Sequence, residues 1–125
     1  MTEPDSRYLQ YFNLFNQEKF FEAHEVLEAL WRETKGSERD FYQGLIQLAA
    51  SLVHFQKRNL TGGLKLFQTA SAYLTPYLPH HEGVDLAGAL QDFRAFLDAW
   101  SGHPDSPSLA KPLLPRLDLV RKRDA

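Results

Sequence analysis

The sequence predicts an all-α fold of about five helices, stacked as antiparallel αα-hairpins with an irregular Pro-rich C-terminal segment. Three observations carry this expectation. Apolar residues recur at spacings of three and four through most of the first hundred positions. Capping residues, glycines and prolines break that pattern at regular intervals. No run alternates with period two between turn signals, so strands are not expected. The 125 residues, 43% of them hydrophobic and 13% aromatic, suit one core. A single helical domain over 1–125 is therefore expected, with its core in 5–101 and a strap in 102–125.

In the first helix, Tyr8, Leu9, Tyr11, Phe12 and Phe15 follow helical spacing behind Thr2, Pro4 and Asp5, which predicts residues 5–16. Asn16-Gln17-Glu18 is the turn out of it. The second helix, 19–34, buries Phe20, Ala23, Val26, Leu27, Leu30 and Trp31 and meets Gly36, a residue suited to a left-handed cap. Ser37 with Asp40 resembles a capping box opening the third helix, which runs to 57 or 58. That helix is apolar nearly all round, which predicts a central place; only Asp40, Gln43, Gln47, Ser51 and His54 form a narrow polar stripe.

Asn59 caps a fourth helix carrying Leu64, Leu66, Phe67, Ala70 and Leu74, which ends near Pro76 and Pro79. His80-His81-Glu82-Gly83 follows as a loop, with its histidines exposed rather than coordinating. Leu86, Leu90, Phe93, Leu97 and Trp100 predict a fifth helix behind Asp85, stopped by Gly102. Pro104, Pro107, Pro112 and Pro115 forbid a long helix beyond it, yet Leu109, Leu113, Leu114, Leu117, Leu119 and Val120 are too apolar for a free tail. A strap across the bundle satisfies both.

An internal echo links the two hairpins. Phe15-x4-Phe20-x2-Ala23 and Phe55-x4-Leu60-x2-Gly63 lie 40 residues apart, each where one helix turns into the next. Successive hairpins of a helical-repeat protein would produce it, and so would a bundle whose turns share local chemistry.

Composition narrows function by exclusion. Fourteen basic and 16 acidic residues leave no broad positive surface for nucleic acid, and Arg121-Lys122-Arg123 reads as a solvated tail. Without cysteine there are no disulfides, thiolate metal sites or cysteine nucleophiles. Leu45 to Phe55, the longest apolar stretch, is about half of a membrane span. The acidic start lacks a signal-peptide pattern, so a cytoplasmic protein is expected.

One polar constellation remains. His24 and Glu28 sit one turn apart on the edge of the second helix, with Glu25 beside them and Glu22 a turn before. If that edge faces the third helix, His24, Glu28 and His54 form a candidate ligand set for a divalent metal, zinc, manganese or iron. Gln43 and Gln47 would bind a small-molecule ligand there, and Glu25 or Glu28 would act as the base of a metal-dependent hydrolase. The plainer reading makes His24 and Glu28 a hydrogen-bonded pair at a core edge, and the glutamines a solvent-facing stripe. A third reading is a noncatalytic interaction module, whose polar face and aromatic first helix meet a protein partner or a second copy. No His-Glu-x-x-His signature is present, since the residue four after His24 is Glu28.

The run Phe20-Phe21-Glu22-Ala23-His24-Glu25-Val26-Leu27-Glu28, with Trp31, Phe41-Tyr42-Gln43-Gly44-Leu45-Ile46-Gln47-Leu48-Ala49 and Asn59-x2-Gly62, resembles a family of small all-helical prokaryotic proteins. That family is classed as a domain of unknown function and sometimes labelled predicted metal-dependent hydrolases. The resemblance spans roughly residues 8 to 75. It implies that Glu22, His24, Glu25 and Glu28, with Gln43, Gly44 and Gln47, are the family's motif positions. Glu18 stands where members often carry glycine, and Gly63 where they often carry alanine.

Overall fold

A computed structural model gives the structure of residues 3–119; Thr2, Val120 and the basic run Arg121-Lys122-Arg123 lie outside the described residues. Among the described residues there are five α-helices: α1 (Ser6–Asn16), α2 (Phe20–Glu33), α3 (Glu38–Gln56), α4 (Leu60–Leu74) and α5 (Leu86–Gly102). One hydrophobic cluster runs from Tyr8 to Leu117 and includes Tyr11, Phe15, Phe20, Phe41, Phe93, Phe96 and Trp100 with little or no exposure.

The helix starts follow their capping chemistry. Asp5 accepts from the Arg7 N–H at 2.9 Å, Asn59 from Gly62 at 3.0 Å and Asp85 from Gly88 at 3.0 Å, each satisfying an amide that the helix cannot. Ser37 departs from expectation: its backbone is helical and its hydroxyl caps nothing. Gly36 does take a left-handed conformation (φ +85°), but it serves the turn into α3, where its carbonyl accepts from the Arg39 N–H. The end of α2 is covered instead by the Arg39 guanidinium, which donates to the carbonyls of Trp31 and Thr34 at 3.0 and 3.1 Å.

α3 packs against α2 on one side and α4 on the other. Contact with α4 is close because Gly44 lies against Leu74 and Ser51 donates to the Gly63 carbonyl at 2.8 Å. α5 crosses these helices through aromatic contacts. Phe93 stacks on Phe67 at 5.7 Å, and Phe55 meets Phe96 and Trp100 edge-on at 4.9 and 5.1 Å. Gly102 closes the last turn of α5 from inside the helix rather than stopping it from beyond.

Between α4 and α5 the expected loop is a small antiparallel hairpin, β1 (His80–His81) and β2 (Val84–Asp85), with His81 opposite Val84. Glu82 and Gly83 both have positive φ, +47° and +79°, which suits a two-residue turn between twisted strands. Strands of two residues are too short to alternate visibly, so the pattern that announces a strand was absent. After α5 the chain makes two short 3₁₀ turns, over Pro107–Leu109 and Lys111–Leu113, and buries Ala110 and Leu117. Asn16 clamps this strap: its amide donates to the Leu117 carbonyl at 2.9 Å and accepts from the Leu117 N–H at 2.8 Å.

Candidate functional site

On α2 the buried residues Phe20, Ala23, Leu27 and Leu30 define the core face. At about 100° per residue, Trp31 and His24 fall on the flank beside it. That flank turns toward α3, since the Arg39 guanidinium lies 4.0 Å over the Trp31 ring. The antiparallel register is bracketed by Arg39 reaching the Trp31 carbonyl at one end and Gln56 donating to the Glu18 carbonyl at the other. Counting inward from these two contacts, the antiparallel register sets His24 about opposite Gln47 and Glu28 about opposite Gln43.

The His24 ring has two distinct nitrogens. Nε2 is 3.2 Å from Glu28 Oε2, and the other oxygen of Glu28 pairs with Arg32. A ring that carries its proton on Nε2, the nitrogen facing this carboxylate, has its lone pair on Nδ1. Nδ1 is shielded from solvent and has no hydrogen-bond partner among the described residues. Gln47 Oε1 on α3 is in the same condition. Two acceptors without a donor, level on neighbouring helices, are unusual, because buried polar atoms are nearly always paired. Phe21, 51% exposed, stacks on the imidazole at 5.9 Å and 28°.

The remaining predicted residues divide. Glu25 is exposed, on the side of α2 away from its buried face, whereas Glu28 is partly buried beside His24. Gln43 is half-buried. His54 stands at the α3–α4 turn, where its Nδ1 accepts from Asn59 Nδ2 at 3.0 Å. Its ligand atoms do not join those of His24 and Glu28 in one cluster, so the three-residue set read from the sequence is not assembled. The reason is distance along α3: His54 lies seven residues beyond Gln47, about 10 Å at 1.5 Å per residue. Ser51 leaves the polar stripe altogether and is buried against α4.

Sequence reasoning missed another grouping. His81, placed in an exposed loop by its surrounding prolines, is partly buried, and its Nε2 lies 2.8 and 3.0 Å from the two oxygens of Glu38. With Glu82 they form the group of three metal-capable side chains found among the described residues, their ligand atoms within 4.8 Å of one another. The Glu82-Gly83 dipeptide was the available signal for the turn. Nothing local announces Glu38, which is 43 residues away.

Acidic surroundings and burial also act on the nearby phenols. Burial, reinforced by Glu82, raises the Tyr8 pKa, and burial reinforced by Glu38 raises that of Tyr42. A cavity of about 400 Å³ lies elsewhere, between α4 and α5 against Phe67, Gln68, Ser71 and Arg94. It touches neither polar group.

A family model described as a domain of unknown function (DUF309) matches residues 8–66. The uncharacterized protein YpuF of Bacillus subtilis (strain 168) is 36% identical over 61 residues, which are 47% of this chain and 35% of that protein. This chain thus matches about a third of its relative's length. His24, Glu28, Glu38, Gln43, Gln47 and His54 lie inside the family stretch, whereas His81 and Glu82 lie beyond it.

Proposed function

Taking as premise that residues 8–66 are a DUF309 domain, we propose that its α2–α3 edge binds a divalent cation through His24 Nδ1 and Gln47 Oε1. One observation carries the reading: both atoms are shielded acceptors that lack a donor. A cation answers both at once, and an imidazole beside an amide oxygen suits zinc, manganese or iron. Glu28 is a positioning residue in this arrangement. Its carboxylate lies 3.2 Å from Nε2 and would favour the proton there, as carboxylates behind metal-bound histidines do. Gln43, level with Glu28, is the next polar side chain along the groove.

The cation would supply Lewis acidity and a more acidic bound water, the chemistry of a metal-dependent hydrolase. Glu25, the other carboxylate considered as a base, is exposed on the side away from this edge, and Glu28 would have to leave Arg32 to act as one. The Phe21 ring covers the imidazole on the solvent side.

A second reading, a docking surface for a partner protein or a second copy, draws on the same Phe21, half exposed beside a polar edge. The aromatic residues of α1 do not contribute to it, because Tyr8, Tyr11, Phe12 and Phe15 are core. Light scattering of wild type and Phe21→Ser tests it: a monomer in both cases removes the self-association form.

Calorimetric titration with zinc, manganese and ferrous iron tests the cation. To isolate this edge, the titrations use the Glu82→Gln background. One equivalent should bind, and His24→Ala or Gln47→Leu should weaken it at least tenfold. No uptake in the Glu82→Gln protein, or uptake indifferent to His24→Ala, overturns the proposal.

A further inference from the structure

We propose that Glu38, His81 and Glu82 form a second divalent-cation site, independent of the α2–α3 edge, which joins the β-hairpin to the start of α3. The three ligand atoms come from two segments 43 residues apart in sequence, yet all lie within 4.8 Å of one another. One imidazole and two carboxylates are a donor set for zinc or manganese.

The segments that carry the ligands are held by their surroundings. The His81 ring meets the Phe41 ring edge-on at 4.6 Å and lies 4.8 Å from Tyr77, so two aromatic walls limit its rotation. Tyr8 donates its hydroxyl to the Glu82 carbonyl at 2.8 Å and anchors the turn to α1. Val84, opposite His81 in the hairpin, is buried and fixes the register. Glu38 opens α3, whose next turn is fixed by the fully buried Phe41. These are the supports that a preorganised ligand set requires.

Charge argues in the same direction. Among the described residues neither Glu38 nor Glu82 is paired with a lysine or arginine; Glu38 meets only His81. Two carboxylates gathered beside one imidazole concentrate acidic groups in a small space, an arrangement that a divalent cation neutralises. The raised pKa values of Tyr8 and Tyr42, to which both glutamates contribute, register the same local field.

Binding requires one rearrangement. Without a cation the His81 Nε2–H donates to Glu38. With a cation the neutral ring takes the Nδ1–H tautomer and offers the Nε2 lone pair, and Glu38 exchanges an accepted hydrogen bond for coordination. The consequence reaches beyond the ligands. Because His81 and Glu82 lie outside the family stretch and Glu38 inside it, the cation would couple the stability of the two parts.

The test uses the full chain carrying His24→Ala, which removes the ligand proposed for the α2–α3 edge. Titrated with zinc and with manganese, this protein should bind one equivalent. Its thermal midpoint should rise and level off at that stoichiometry. Adding Glu82→Gln or His81→Gln should weaken binding at least tenfold and abolish the rise. Glu82 is exposed, so Glu82→Gln leaves the fold intact, which far-ultraviolet circular dichroism verifies. Manganese should also broaden the His81 ring proton signals selectively. If the His24→Ala protein takes up no cation, or binds equally with Glu82→Gln and His81→Gln, the cluster is a His81–Glu38 hydrogen bond only and the site does not exist.

Discussion

The turn from α1 to α2 and the turn from α3 to α4 share one backbone and differ in their side chains. In the first, the Glu18 N–H donates to the Phe15 carbonyl and the Lys19 N–H to that of Leu14, both at 2.9 Å. In the second, 40 residues on, the Arg58 N–H donates to Phe55 at 3.0 Å and the Asn59 N–H to His54 at 2.8 Å. Both are Schellman turns, with Glu18 at φ +61° and Arg58 at φ +58° in the left-handed position. What differs is the load on the helix that follows. α2 begins with Ala23 in the core and then offers His24 to solvent and α3. At the corresponding place α4 has Gly63, because Trp100 of α5 presses on it. A repeated backbone is thus compatible with a polar edge in one copy and an aromatic joint in the other.

Exchanging the small residues breaks this comparison most severely. A Cβ at Gly63 would meet Trp100 Cζ3 at 2.7 Å and Cη2 at 3.1 Å. The ring is fully buried and cannot step aside, so Gly63→Ala should cost about 1–3 kcal/mol in urea unfolding. The reverse exchange, Ala23→Gly, loses a buried methyl and helix propensity, about 1–2 kcal/mol, for a different reason. Trp100 tells the two apart. In a Trp100→Phe background the cost of Gly63→Ala should shrink, whereas that of Ala23→Gly should be unchanged; equal costs in both backgrounds would refute the joint.

The caps sharpen the comparison with a smaller effect. Asn59 caps α4 with its side chain, while Lys19, its counterpart, caps nothing. Asn59→Ala should destabilise by about 1 kcal/mol, and Lys19→Asn should stabilise by up to about 1 kcal/mol. Should Lys19→Asn give no gain, the two turns are less alike than their hydrogen bonds imply.

Much of this architecture was legible from local chemistry. Asp5, Asn59 and Asp85 stand where they cap, the apolar spacing gave each helix to within a residue or two, and the echo at Phe15 and Phe55 marked the repeated turn. Legibility failed where structure depends on distant partners. Ser37 looked like a cap, but Arg39 covers the preceding helix end. Ser51 looked like part of a polar stripe, but α4 approaches closely enough to receive its hydroxyl. His54 shared that stripe with Gln47, yet a stripe on a 19-residue helix runs past more than one neighbour. His81 required both a two-residue turn and Glu38, neither of which leaves a periodic trace. The candidate edge was legible as His24 and Glu28, and the shielded state of Gln47 Oε1 was visible only after packing.

The smallest effect concerns a charged clamp on the first hairpin. Arg7 donates to Glu33 at 2.8 and 3.1 Å and to Asp5 at 2.9 and 3.0 Å, tying the start of α1 to the end of α2. Hydrogen bonds from Arg7 hold the Asp5 carboxyl down, to about 2, and lower that of Glu33 as well. A depressed carboxyl pKa means that the folded state binds the proton less readily than the unfolded chain does. Its stabilisation is therefore complete above the ordinary carboxylate range and is lost as pH falls through about 4 toward 2. These side chains are exposed and screened, so the effect is the least of the three. Urea midpoints of wild type and Arg7→Gln should differ slightly at pH 6 and converge near pH 2. A gap that persists at pH 2 would assign the contribution of Arg7 to packing of its aliphatic stem rather than to charge.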